Sequence, residues 1–140
     1  MRQPRVALAA IALAVVAAPA LAAGEKAPAP GTSVEMPYLI APLTVDEKLV
    51  AYAYISSKIV ATSSSAAIDV RDKMPFLQDA FLRDVNGASI GSRSDPAKVD
   101  SAVLVARLLK DAKRIVGGAK VANLAISQIQ IARLSPNPAK

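Results

Sequence analysis

The stretch Val70-Arg-Asp-Lys-Met-Pro-Phe-Leu-Gln-Asp-Ala-Phe-Leu-Arg-Asp-Val-Asn-Gly87 decides how this chain folds. Val70, Met74, Leu77, Phe81 and Val85 recur at steps of four, three, four and four, which places all of them on one stripe of an α-helix. Both phenylalanines of the chain, Phe76 and Phe81, lie inside it. The stripe predicts a core helix against which the rest of the domain packs. Pro75 interrupts it: proline has no amide hydrogen to give the Arg71 carbonyl and costs about 3 kcal/mol in a regular helix interior. The helix therefore either kinks there or divides in two, with Pro75 near the start of the second piece.

Thr62-Ser63-Ser64-Ser65 carries candidate N-caps for a helix starting near Ala66 and reaching Val85, and Asn86-Gly87 offers a left-handed stop. Asp69 with Lys73 and Asp79 with Arg83 stand four residues apart, acid before base, as surface pairs worth about 0.2–0.5 kcal/mol each.

Upstream, Tyr38 to Val45 reads as a strand. Pro37 and Pro42 confine it to a sheet edge or a bulge, because neither can donate to a ladder. Asp46-Glu47-Lys48 is a tight polar turn. Leu49 to Ala61 is a long strand with Leu49, Ala51, Ala53, Ile55 and Ile59 on one face and Val50, Tyr52, Tyr54 and Val60 on the other. Both faces are apolar. One packs on helices, and Val50, Tyr52 and Tyr54 on the other mark either a self-association face or ordinary scattered surface groups.

Downstream, Gly87 to Ser94 is a polar loop, and Asp95-Pro96 is set to open a further helix, Asp95 as N-cap. Its buried stripe is expected to be Val99, Val103, Ala106, Leu109, Ala112 and Val116, with Gly117-Gly118 ending it. Ala119 to Leu134 returns to alternation as a last strand. Ala122, Leu124 and Ile126 are placed on one face and Val121, Ala125, Ile129 and Ile131 on the other, with Gln128 and Gln130 leaning to solvent. Strands and helices are segregated in the order β-β-α-α-β. The fold class is α+β: a small antiparallel sheet with two helices packed on one face.

The N-terminus has the features of an export signal. Met1-Arg-Gln-Pro-Arg5 is basic, Val6 to Ala18 has no polar or charged residue, and Ala20-Leu21-Ala22 fits a signal-peptidase site. Residues 1–22 read as a secretory signal peptide. The alternative is an uncleaved anchor, because the apolar run reaches about 18 residues, the lower limit for spanning a bilayer. Residues 23–35, rich in proline and alanine, read as a disordered leader, 36–134 as a single domain and 135–140 as a flexible tail. The expected location is the periplasm, with attachment to the inner membrane if the signal is kept.

Few reactive side chains are present. The chain has no histidine and no cysteine, so it lacks the commonest general base, the commonest zinc ligand and any thiol nucleophile. Its glycines match no phosphate-binding loop. Asp69 and Asp72 share a helix face, but Arg71 and Lys73 beside them favour surface ion pairing. Asp84 with Asn86 belongs to no calcium loop, and Ser63 to Ser65 with Lys58 forms no serine–lysine motif. No enzyme, cofactor or metal centre is expected. The net charge of +6 is spread among acids, and aromatic residues make up 4% of the chain, which argues against nucleic acid as a partner. Arg107, Lys110 and Arg114, with Lys113 close by, line one side of the downstream helix. They form either a solvated cationic face or a contact for anionic lipid headgroups or an acidic protein.

The strand Tyr38-Leu-Ile-Ala-Pro-Leu-Thr-Val45, the strand Leu49-Val-Ala-Tyr-Ala-Tyr-Ile55, the helix carrying Ile68-Asp-Val-Arg-Asp72, a further helix and the final strand Val121 to Leu134 follow one another in this order. This resembles the periplasmic domain of the FliL family, flagellar basal-body-associated proteins with a stomatin-like fold, over about Met36 to Leu134. The resemblance implies a non-enzymatic role: subunits that associate side by side, often as rings, around an inner-membrane machine such as a stator. Family members keep a transmembrane helix, whereas this N-terminus reads as cleavable, which implies a soluble periplasmic relative. The competing expectation is a periplasmic module for a lipid or small apolar ligand, with a dry pocket near Tyr52, Phe76 and Phe81.

Overall fold

A computed structural model describes residues 28–135. The expected signal peptide, residues 23–27 of the expected leader and residues 136–140 of the tail lie outside the described residues. The elements run β1 (Ser33–Glu35), β2 (Leu39–Val45), β3 (Lys48–Ala61), α1 (Ser64–Asp72), α2 (Met74–Gly87), α3 (Ser101–Val116) and β4 (Val121–Arg133). The α+β class holds: one antiparallel sheet, with helices on one face.

The sheet is built around β3. Its alternate residues Ala51, Ala53, Ile55, Ser57, Ile59 and Ala61 are all buried, which fixes one face as the core face. β4 pairs with β3 over almost its full length, while β1 and β2 pair with it in succession, β1 opposite Lys58–Val60 and β2 opposite Lys48–Ile55. They share the edge of β3 away from β4 and act as one interrupted strand, broken at Pro37. β2 thus lies at a sheet edge, as Pro37 and Pro42 require. The leader expectation needs correction at its end. Ser33–Glu35 is a strand, because Thr32 and Val34 find buried places beside Ala61 and Ile59.

Asp46 (φ 49°) and Glu47 (φ 64°) close the β2–β3 hairpin with two left-handed residues, the backbone that matches the twist of the flanking strands. Three helices replace the expected two, for the reason Pro75 gave. α1 stops at Asp72, Lys73 is the break, and Pro75 sits in the first turn of α2, where a missing amide hydrogen costs nothing. Ser63 caps α1, its Oγ accepting from Ala66 N at 3.0 Å. Val70, Leu77, Phe81 and Val85 are buried as the stripe demands, and Met74 is half-buried.

Several local expectations fail for identifiable reasons. Gly87 stays helical, and α2 ends at Ala88 in extended backbone, the Ala88 amide donating to Asp84 O (3.2 Å) and Arg107 bonding the Asp84 and Ser89 carbonyls on either side of it. Asp69 pairs with Lys120 (2.8 Å), not Lys73, whose Nζ lies instead over the Phe76 ring, 5.5 Å from its centroid. Asp79 and Arg83 pair as expected, at 3.1 Å.

Asp95-Pro96 makes a turn and not a helix start: Ala97 N donates to Asp95 Oδ1 (3.1 Å) and Lys98 N to Asp95 O (2.9 Å). That turn folds Pro96 against Gly91. A Cβ on Gly91 would lie 2.6 Å from the Pro96 carbonyl oxygen, so only glycine fits there. Ile90 is buried beneath the loop. The true cap of α3 is Asp100, accepting from Val103 N. Starting later, α3 buries Leu104, Leu108 and Ala112, and Val103 and Ala106 of the expected stripe face out. Gly117 ends α3 with φ 125°.

β4 carries two extra residues, Ala122 and Ser127, opposite single steps of β3. Each bulge reverses the alternation. Val121, Leu124, Ile126, Ile129 and Ile131 all stand opposite core-face residues of β3, correcting the face assignment read from strict alternation.

Candidate functional site

Three surfaces are candidates for contact with a partner, two of them singled out by the sequence. The first is the basic side of α3. Arg107 is not a free cation there. Its Nε donates to Asp84 Oδ1 (2.8 Å), its Nη2 to Asp84 Oδ1 and to the Asp84 backbone oxygen (2.8 Å), and its Nη1 to Ser89 O (3.0 Å). The two side chains are largely removed from solvent, 23% and 15% exposed. One planar guanidinium therefore joins α3 to the end of α2, bonding a carboxylate and the main-chain carbonyls of Asp84 and Ser89 at once. Arg114 pairs with Asp111 at 3.3 Å. Of the four expected contact residues, Lys110 and Lys113 alone have no ion-pair partner among the described residues.

Between α2 and α3 runs an open groove of about 640 Å³. Phe76, Ala80 and Ile115 give it apolar surface, and the charges along it are mostly neutralised in the pairs Arg83–Asp79, Arg107–Asp84 and Arg114–Asp111. The pair Arg83–Asp79 is expected from its spacing, whereas Arg107–Asp84 is hidden because its acid comes from another helix.

The second surface is the uncovered face of the sheet. Tyr52 and Tyr54 lie on it, half-buried and partly exposed. Val50 does not join them. It is the extra residue where Leu43 faces Ala51 and Thr44 faces Leu49, and it packs against the margin of the core. Tyr38, Tyr54, Ser56, Gln128 and Gln130 surround a hollow of about 250 Å³ with no charged group. The pocket expected near Tyr52, Phe76 and Phe81 is not assembled. Phe81 is fully buried in the core, Phe76 is 62% exposed and lines the α2–α3 groove, and Tyr52 is on the opposite side of the sheet.

The third surface was not singled out by sequence reading: the outer edge of β4. Among the described residues nothing pairs with it. Thirteen residues long, it carries no charge from Val121 to Ala132 and no proline. That run of uncharged sequence was the available signal.

Among the described residues no cluster of acidic side chains is arranged to hold a metal ion, and no helix is long and apolar enough to cross a membrane. No protein-family model matches the chain, and no curated protein is significantly similar to it.

Proposed function

We propose that this protein is a non-enzymatic accessory component of the bacterial envelope, exported to the periplasm, that self-associates and supports an inner-membrane machine such as the flagellar motor. The observation that carries this reading is the sheet's imbalance. Helices bury one face, while among the described residues nothing covers the other face or pairs with the outer edge of β4. Antiparallel sheets tolerate one wetted face, but a long uncharged edge invites pairing unless something occupies it. The flagellar machine rests on the FliL-type resemblance of the sequence, and the clamp formed by Arg107 and Asp84 is a fixed joint suited to a rigid subunit.

The test is cross-linking in intact cells followed by sizing of the tagged protein. Multiples of the chain, or a reproducible complex with an inner-membrane protein, are expected. A strict monomer with no partner contradicts the reading. Mass measurement of the mature N-terminus tests export separately, with cleavage after Ala22 as the expected result.

A further inference from the structure

We propose that β4 pairs with β4 of a second copy, antiparallel about a twofold axis at Ile131, so that the two sheets become one. This rests on the self-association reading above and names the surface that carries it.

The hydrogen-bond parity of the sheet selects the residues. Met36 N donates to Ser57 O (2.9 Å) and Ala61 N to Thr32 O (2.8 Å), so the odd-numbered residues of this part of β3 direct their backbone groups toward β1 and β2. Thr62 N donates to Lys120 O (2.9 Å) and Leu134 N to Val50 O (3.0 Å), so the even-numbered ones face β4. In an antiparallel ladder, residues opposite one another either both bond across the gap or both point away. Gln128, Gln130 and Ala132 stand opposite Ser56, Tyr54 and Tyr52 and are bonded inward, while Ile129, Ile131 and Arg133 stand opposite Ile55, Ala53 and Ala51 and point outward. Gln128–Arg133 is free of bulges, the extra residues being Ala122 and Ser127. It therefore offers a regular row of unpaired donors and acceptors.

Pairing that row with itself requires outward residues opposite outward residues. Ile131 then faces Ile131 of the second copy, and Ile129 faces the second copy's Arg133. No like charges meet, and Ile131, 39% exposed in the single chain, gains an apolar partner. The opposite edge of the sheet cannot serve as well. It is interrupted at Pro37 and carries Pro42, which has no donor to offer. Joining β4 of one copy to β2 of the next, as an open ring of edges needs, is disfavoured. The self-pairing of β4 is isologous and closes as a dimer.

The experiment is light scattering of the full purified protein and of two variants, Ile131→Lys and Ile131→Glu, alone and mixed. The wild type is expected to be a dimer. Each variant alone puts like charges opposite each other at the axis and is expected to be a monomer with an unchanged circular dichroism spectrum. The mixture is expected to restore the dimer. Amide hydrogen exchange of the wild type gives a second reading that needs no substitution: protection at Ile129, Ile131 and Arg133 rises with protein concentration, while Gln128, Gln130 and Ala132 stay protected throughout. A wild type that is a monomer at every concentration overturns both this proposal and the self-association reading. A dimer that survives both charge variants, or that leaves Ile129, Ile131 and Arg133 unprotected, overturns the β4 edge alone.

Discussion

At the scale of single residues, the structure separates cations that hold the fold from cations that are free to meet a partner. Arg107 belongs to the first group. Its fork bonds to a carboxylate and to main-chain carbonyls, a pattern that lysine's single ammonium cannot copy. Arg107→Ala should lower stability by about 2 kcal/mol and Arg107→Lys by about 1 kcal/mol, hydrogen bonds to charged groups being worth about 1.5–3 kcal/mol. The shift will be read as a lower urea midpoint with an unchanged slope. Equal stability of Arg107→Lys and wild type would show that the fork is not needed. Charge reversal aimed at a lipid or acidic partner belongs instead at Lys110 and Lys113. Ser57 is the opposite case, a buried hydroxyl whose Oγ has no hydrogen-bond partner, in the middle of an apolar face. Burying a hydroxyl without a bond costs about 1–3 kcal/mol in proteins. Ser57→Ala should therefore raise stability, by about 1 kcal/mol, and a fall in the same urea titration would mean that the hydroxyl is satisfied in solution.

At the scale of elements, the β2–β3 hairpin gives a further prediction. Glu47 holds φ 64°, where a side chain costs about 1–2 kcal/mol and glycine costs little. Glu47→Gly should stabilise the domain by up to about 1 kcal/mol, seen as a higher melting temperature. A lower one would mean that the loss of chain entropy outweighs the relief. The elements also differ in how far the sequence alone determines them. The stripe Val70 to Val85, an interruption at Pro75 and an edge or bulge at Pro42 follow from local chemistry and period and are present. So is the buried face of β3 from Ala51 onward, but Leu49, expected on that face, is exposed because Val50 is an extra residue opposite β2. The start of α3 and the faces of β4 do not follow from local chemistry and period. Asp95 and Asp100 are both competent N-caps, and the choice is made by Pro96 packing on Gly91, a contact between chain segments. Likewise, an extra residue in β4 exists only relative to β3, so alternation along one strand cannot reveal it. The candidate surfaces were legible to the same degree. Tyr52 and Tyr54 face outward as period two requires. Arg107 looked free because its partner Asp84 is distant in sequence.

At the scale of the whole molecule, three helices cover one side of a sheet whose widest element, β3, is bordered by a broken, proline-bearing edge and a long uncharged one. The asymmetry of those edges is what makes a closed pair of copies the expected assembly. The chain contains no cysteine, so a single introduced thiol reports on one position only. Residues opposite each other in a hydrogen-bonded antiparallel pair have Cα atoms about 5.5 Å apart, inside the range of about 4.4–6.8 Å that a disulfide spans. The most direct measurement is therefore disulfide formation by Ile131→Cys under mild oxidation, compared with Phe76→Cys, which is more exposed but lies in the α2–α3 groove. Rapid, nearly complete dimer is expected from Ile131→Cys and little from Phe76→Cys. Equal cross-linking of the two, or none at position 131 while the protein is folded, would contradict the pairing of β4 with β4.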